Sequence, residues 1–255
     1  MKRLICVILT VLMLVGTLCV SASALSWYCP KSVGGLQPRT PADLAEALTH
    51  GAYYLDTRHG DDSDERVVYL TFDAGYENGN VARVLDRLAE KGVPAAFFVL
   101  KHFVTENPDL IVRMGREGHL ICNHTASHRD LSAATRAEIE AELSALAAAV
   151  AEAGETCHSY FRPPEGAYSA NMLDAVASLG YRTVFWSVAY ADWDNQRQPV
   201  PNKALDLLLS RMHNGAVVLL HPTSATNAEI LPELIDGLRA RGYRFATLDE
   251  LCIER

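Results

Sequence analysis

Six acidic, basic or cationic side chains stand where apolar runs of the chain stop, and their types suggest hydrolytic chemistry. Asp73 ends the run Val67–Phe72 and is followed by Gly75 and Gly79. Ligands of α/β proteins bind at the carboxyl ends of parallel strands, so a carboxylate there is a candidate base, with a cap of the following helix as the alternative. His124 and His128 follow the run ending at Asn123. Their spacing puts both imidazoles on one face of a helical turn and suits one metal ion, although surface helices show the same spacing by chance. Arg162 is followed by Pro163, Pro164, Glu165 and Gly166. Two prolines make a stiff, extended exit that can aim a guanidinium at a carboxylate. Asp192 and Trp193 follow a further run and offer an orienting acid and a stacking wall. His221 terminates Val217–Leu220, at the exit of the run and not inside it, which favours a functional histidine over a core one.

Regular alternation of strand and helix patterns must position these groups. The apolar runs predict strands at Val67–Asp73, Ala95–Leu100, His119–Asn123, Ser159–Arg162, Arg182–Val188, Ala216–His221 and Arg244–Leu248. Helical patterns lie between them at Asn80–Lys91, Pro108–Glu117, Thr135–Ala153, Ala170–Leu179, Pro201–His213 and Ala228–Arg241. Such repetition argues for α/β architecture with a parallel sheet, and a distorted (β/α) barrel of about seven parallel strands is preferred to an open sheet. Thr135–Ala153 carries Glu138, Glu140, Glu142 and Glu152 around an alanine-rich helix and reads as an outer, solvated element without chemistry.

The 255 residues are 49% hydrophobic and 21% charged, as expected of one sizeable globular domain. Lys2 and Arg3 precede an apolar run to about Val20, and Ala22-Ser23-Ala24 offers small residues for cleavage, so residues 1–24 read as a secretory signal peptide; an uncleaved anchor is the alternative. Export across the cytoplasmic membrane is expected, to a secreted or cell-wall-associated location, with no stable membrane contact once the signal is cleaved. Residues 25–66 form a Pro- and Gly-bearing lead-in packed on the domain at 67–255. Without Lys2 and Arg3, 21 basic residues face 31 acidic ones, a net charge of −10. That balance excludes nucleic acid as a partner and suits neutral or weakly charged ligands. Cys29, Cys122, Cys157 and Cys252 stand in an export-type context where disulfides can form, while Cys122 in its apolar strand reads as a packed free thiol. Nothing marks an oligomer, and a monomer is expected.

Taken in order, Thr71-Phe72-Asp73-Ala74-Gly75, His124-Thr125-Ala126-Ser127-His128, Arg162-Pro163-Pro164-Glu165-Gly166, Asp192-Trp193 and Leu219-Leu220-His221 resemble the five motifs of the polysaccharide deacetylase family with the NodB homology domain, carbohydrate esterase family 4. The resemblance spans Val67 to about Leu251. Thr71–Asn80 and Phe185–Trp193 further resemble the PdaA-like subset, which removes acetyl from N-acetylmuramic acid in peptidoglycan and leads to muramic δ-lactam in spore cortex.

The resemblance implies that Asp73 is the general base, that His124 and His128 ligate a metal, and that Arg162 steadies Asp73. It implies that Asp192 orients His221, the general acid, and that the Glu165 backbone N–H helps hold the oxyanion. The implied cofactor is a divalent ion, zinc first, with cobalt, manganese or magnesium as alternatives; the implied partner is peptidoglycan glycan strands. Two positions depart from the family pattern. Ala74 stands where a second aspartate serves as a metal ligand, so weak binding is expected, and Ala189 stands where the fourth motif often begins with aspartate. Two other readings stay open: a deacetylase of chitin-like N-acetylglucosamine polymers, and a glycan-binding pseudoenzyme without metal.

Overall fold

A computed structural model describes residues 24–252, so the expected signal peptide, apart from Ala24, lies outside the described residues. The strands are β1 (Leu25–Ser26), β2 (Arg66–Ala74), β3 (Ala96–Val99), β4 (Leu120–Asn123), β5 (Cys157–Phe161), β6 (Ala167–Tyr168), β7 (Arg182–Thr183), β8 (Ala216–Leu220) and β9 (Tyr243–Phe245). The α-helices are α1 (Ala45–Thr49), α2 (Asn80–Lys91), α3 (Lys101–Glu106), α4 (Pro108–Arg116), α5 (Arg136–Glu152), α6 (Ala170–Ser178), α7 (Pro201–Arg211), α8 (Ala225–Ala240) and α9 (Leu248–Leu251).

Side-chain alternation along β2 creates two apolar layers. Val68, Leu70, Phe72 and Ala74 pack outward with Val81, Val84, Leu85 and Leu88 of α2, while Val67 and Tyr69 join Phe98, Cys122 and Val217 inside the sheet's curl. Asp73 shares the inward parity of Val67 and Tyr69, and emerges at the carboxyl end.

All seven strands of the main sheet pair in parallel, in the order β7-β5-β4-β3-β2-β8, with β9 on β2. Val68 pairs with both Ala216 and Phe245, and Thr71 with both Leu219 and Ala96, so β9 and β3 share one edge of β2 and β8 holds the other. The chain beyond β7 returns to β8 through the Val188–Val218 bridge. The sheet thus curls into the distorted barrel that the alternation predicts.

The expected strand Arg182–Val188 is shortened to Arg182–Thr183. Tyr53 of the lead-in occupies the edge beyond it: its N–H donates to Thr183 O at 2.9 Å and its carbonyl accepts from Phe185 N–H at 2.7 Å. The lead-in also pairs β1 with β6, stacks Trp27 on Phe185 at 4.5 Å, and donates from Trp27 Nε1 to Trp186 O at 2.9 Å. Cys29, Cys122, Cys157 and Cys252 are unpaired, and Cys122 is packed as expected.

Helix α5 is an outer helix, solvated on one side and docked on the other: Glu138, Glu140 and Glu152 are exposed, while Ile139, Leu143, Leu146, Ala149 and Val150 are buried. Thr135 and Glu138 close its first turn as a reciprocal capping box.

Candidate active site

The carboxyl ends of β2, β4, β5 and β8, with the loop beyond β7, surround a cleft of about 680 Å³. Asp73, His124, His128, Glu165, Trp193 and His221 all line it, together with Trp186, Tyr190, Leu219 and Cys29. Arg162 and Asp192 lie just beneath, both buried.

Arg162 is held from several directions. Nη1 donates to Asp73 Oδ1 at 2.7 Å, Nη2 to Thr71 Oγ1 at 2.9 Å and to Phe185 O at 3.3 Å, and Nε to Val184 O at 3.0 Å. The guanidinium also sits 4.1 Å from the Phe98 ring centroid. Thr71 donates its own hydroxyl proton to Val218 O at 2.7 Å, so its oxygen accepts from the arginine. Thr71 is a supporting residue that the motif reading passed over, though its place two residues before Asp73 puts it on the same face of β2.

Burial works against the charged form of Asp73, but the Arg162 guanidinium, then His124 and His221, outweigh it and hold the carboxyl below the usual carboxylate range. The same forces act in reverse on His124. Burial drops its pKa to about 4, only partly opposed by Asp73. His124 Nδ1 donates to Arg162 O at 2.8 Å, which leaves the Nε2 lone pair directed away, 3.8 Å from Asp73 Oδ2. The His128 ring centroid lies 5.0 Å from that of His124.

These two histidines are not on a helical turn, which corrects the reading of their spacing. Thr125 (φ 73°) and His128 (φ 58°) are left-handed. Side chains satisfy the loop N–H groups in place of i−4 carbonyls: Thr125 N–H donates to Asn123 Oδ1 at 3.0 Å and His128 N–H to Thr125 Oγ1 at 2.9 Å. Ala126 and Ser127 N–H both donate to Glu142 Oε2, at 3.0 and 2.9 Å.

The donor set fits a cation held by two imidazoles, with its other positions left to water or substrate oxygen. The Nε2 lone pair of His124, freed by the Nδ1 hydrogen bond, is the observation that supports this. Position 74 adds no donor, because the Ala74 methyl is buried in the outer apolar layer. Among the described residues no group of three or more His, Cys, Asp or Glu side chains converges as a metal site.

On the other wall, His221 Nδ1 donates to Asp192 Oδ1 at 2.7 Å while its backbone N–H donates to Asp192 Oδ2 at 2.8 Å. Asn227 Nδ2 bridges Asp192 Oδ2 at 2.6 Å and His221 O at 2.9 Å. Asn227, on the first turn of α8, is a second support absent from the motif reading. Burial lowers the His221 pKa, but the Asp192 carboxylate, with a smaller contribution from Asp73, overcomes it and the net shift is upward. Trp193 is 63% exposed, with its ring centroid 6.4 Å from that of His221.

Glu165 is left-handed (φ 56°) within the turn Pro164–Gly166, an unusual conformation for a side-chain-bearing residue. Gly166 (φ 69°) follows it, and a Cβ there would meet Trp27 O at 3.0 Å and the Trp186 ring at 3.1 Å. The cleft therefore joins an ionised carboxylate, two imidazoles with one lone pair free, and a third imidazole biased toward protonation. That set can remove a proton from water and return one to a leaving group.

A family model described as polysaccharide deacetylase matches residues 60–184. The chain is 39% identical over 233 residues to the peptidoglycan-N-acetylmuramic acid deacetylase PdaA of Bacillus subtilis, covering 91% of this chain and 87% of that protein. It is 36% identical over 189 residues to a chitooligosaccharide deacetylase of Rhizobium leguminosarum, covering 74% and 84%. The solved structure of Bacillus subtilis PdaA, a family 4 carbohydrate esterase, superposes with a TM-score of 0.84 over 89% of this chain and 96% of that one.

Proposed function

Because the chain belongs to the polysaccharide deacetylase family and is a polysaccharide deacetylase, we propose that it removes the N-acetyl group from N-acetylmuramic acid in peptidoglycan, the step that precedes muramic δ-lactam. The observation that carries this reading is the joint placing of Asp73, His124, His128 and His221 around one cleft, in a chain so similar to a muramic acid deacetylase.

The geometry supports the following roles. Asp73, kept ionised by Arg162, takes a proton from water as that water adds to the acetyl carbon. The N–H of Glu165, at the cleft wall, donates to the developing oxyanion. His221, charged and aligned by Asp192, gives its proton to the amide nitrogen as the C–N bond breaks, releasing acetate and the sugar amine. Trp193 offers an exposed face to the sugar ring. His124 and His128 would hold a divalent cation, zinc first, and such an ion supplies Lewis-acid polarisation of the acetyl carbonyl.

A second reading, deacetylation of neutral N-acetylglucosamine chains, is favoured by one observation: among the described residues no lysine or arginine lines the cleft, so none of them offers a permanent cation to a lactyl carboxylate. The test is mass spectrometry of muropeptides incubated with the protein, beside acetate release from chitin oligomers. Acetyl loss from muramic acid, followed by loss of water, is the expected result; acetate from chitin oligomers alone would overturn the assignment.

A further inference from the structure

We infer that Glu142, on the second turn of α5, is a positioning residue for His128: its carboxylate builds the loop that brings the second imidazole to the first. The inference rests on the reading of His124 and His128 as a cation-binding pair.

Glu142 Oε2 accepts from two consecutive N–H groups, Ala126 at 3.0 Å and Ser127 at 2.9 Å, while Oε1 accepts from the Ser127 hydroxyl at 2.8 Å. Both carboxylate oxygens are thus engaged by the residues between the histidines. Successive N–H groups aimed at one point form an anion-binding concavity, and here a side chain of the same protein fills it. The next residue of α5 grips the other flank of the loop: Leu143 O accepts from Asn123 Nδ2 at 3.0 Å, and Asn123 precedes His124. Two adjacent residues of one helix therefore hold the loop at its start and across its middle.

The loop needs such a partner. His128 is exposed and adopts φ 58°, as Thr125 adopts φ 73°, and each left-handed residue without glycine's freedom carries strain. An unheld loop can relax by turning His128 back to right-handed backbone, which swings its imidazole away from His124. The support is rigid, since α5 is fixed by five buried apolar side chains and by its capping box. Charge-assisted hydrogen bonds from N–H to carboxylate are among the stronger ones, which suits the task.

Wild type, E142Q, E142A, S127A and the control E140Q, at an exposed acid of the same helix, are compared in two measurements that need no turnover. The first is the imidazole NMR resonances of His128 in metal-free protein, and the second is calorimetric titration with zinc alone. E142A should shift the His128 resonances toward an averaged position and weaken zinc binding roughly tenfold or more, the usual scale for residues that orient ligands. E142Q and S127A should move both readouts in the same direction by less, and E140Q should move neither. S127A removes one exposed hydroxyl and keeps the fold, so with E142Q it decides the matter should E142A not fold. Unchanged His128 resonances in folded E142A, or an equal change in E140Q, would overturn the inference. If wild type binds no zinc, the reading of the imidazole pair fails, and the metal-free resonances still decide whether Glu142 sets the loop.

Discussion

Arg162 Nη1 and Asp73 Oδ1 meet at 2.7 Å although 89 residues separate them, and the same guanidinium reaches Thr71, Val184 and Phe185. A planar fork makes these contacts together, and an ammonium cannot. Arg162→Lys should therefore fold but lose about tenfold to a hundredfold in kcat, because Asp73 is no longer oriented. Arg162→Met leaves the Asp73 carboxylate buried without its cation, and urea denaturation should show a loss of about 3–5 kcal/mol. Unchanged stability in that variant would show that water replaces the guanidinium.

Asp73 and His221 face the same cleft from different strand ends, one held ionised and the other biased toward its charged form. Asp73→Asn and His221→Ala should each lower kcat by roughly a hundredfold or more, with circular dichroism unchanged. Near-full turnover by either variant would remove that residue from the proton transfers.

The His221–Asp192 pair gives a pH signature with a defined sign. The folded pKa of His221 is raised, so its proton is retained above the ordinary value of about 6.5 and the alkaline limb of kcat/KM lies correspondingly high. Asp192→Asn removes the carboxylate and should move that limb to lower pH while leaving the acid limb in place. Stability follows the same sign: the pair's contribution is full below about 6.5, fades as pH rises through the raised value, and should be absent in Asp192→Asn. An alkaline limb that does not move would assign it to another group.

The architecture was legible because buried strands, helix caps and strand-end polar residues leave local traces. Asn80–Lys91 has the bounds that its pattern predicts, and Asp73, His124, Arg162 and His221 each mark the exit of an apolar run. What could not be read was the traffic between distant segments. Tyr53 pairs along the outer edge of the segment that leaves β7, Ser187 and Val188 turn to pair with Val217, and no periodicity within these segments announces those partners. The His124–His128 spacing mimicked a helical turn because the N–H acceptors that favour a loop, Asn123 and Glu142, act through side chains. Glu142 itself looked like one of several surface acids on an alanine-rich helix; only the tertiary docking of α5 distinguishes it.

Gly166 tests how closely the turn bearing Glu165 must be held. Its φ of 69° disfavours a side chain, and a Cβ would press on the Trp27 backbone and the Trp186 ring. Gly166→Ala should cost about 1 kcal/mol or more from conformation alone, and the displaced turn should lower kcat more than it raises KM. Gly180→Ala is the control, since it shares a positive φ of 85° but has nothing within 4 Å of its added Cβ. Equal kinetic losses in the two variants would mean that the Glu165 turn has no special place in the chemistry.

Ala74 is where the chain differs most from its family pattern, and the fold sharpens what restoring the acid would do. The methyl is fully buried, packed with Phe72 and Val81 in the outer apolar layer and not with Asp73 in the interior. A carboxylate placed there without a partner carries a desolvation cost, so Ala74→Asp should melt at a lower temperature than wild type in metal-free buffer. If the strand end can turn that carboxylate toward His124 and His128, a third protein ligand forms and the cation binds the native state more tightly. Mass action then raises the melting temperature with zinc concentration, more steeply in the variant than in wild type. The expected result is thus a variant that is weaker when empty and recovers with zinc, read by calorimetry alongside His124→Ala. Destabilisation that zinc does not relieve would show that position 74 faces away from the imidazole pair for good, and that any ion in this cleft depends on the two histidines and on oxygen ligands from outside the chain.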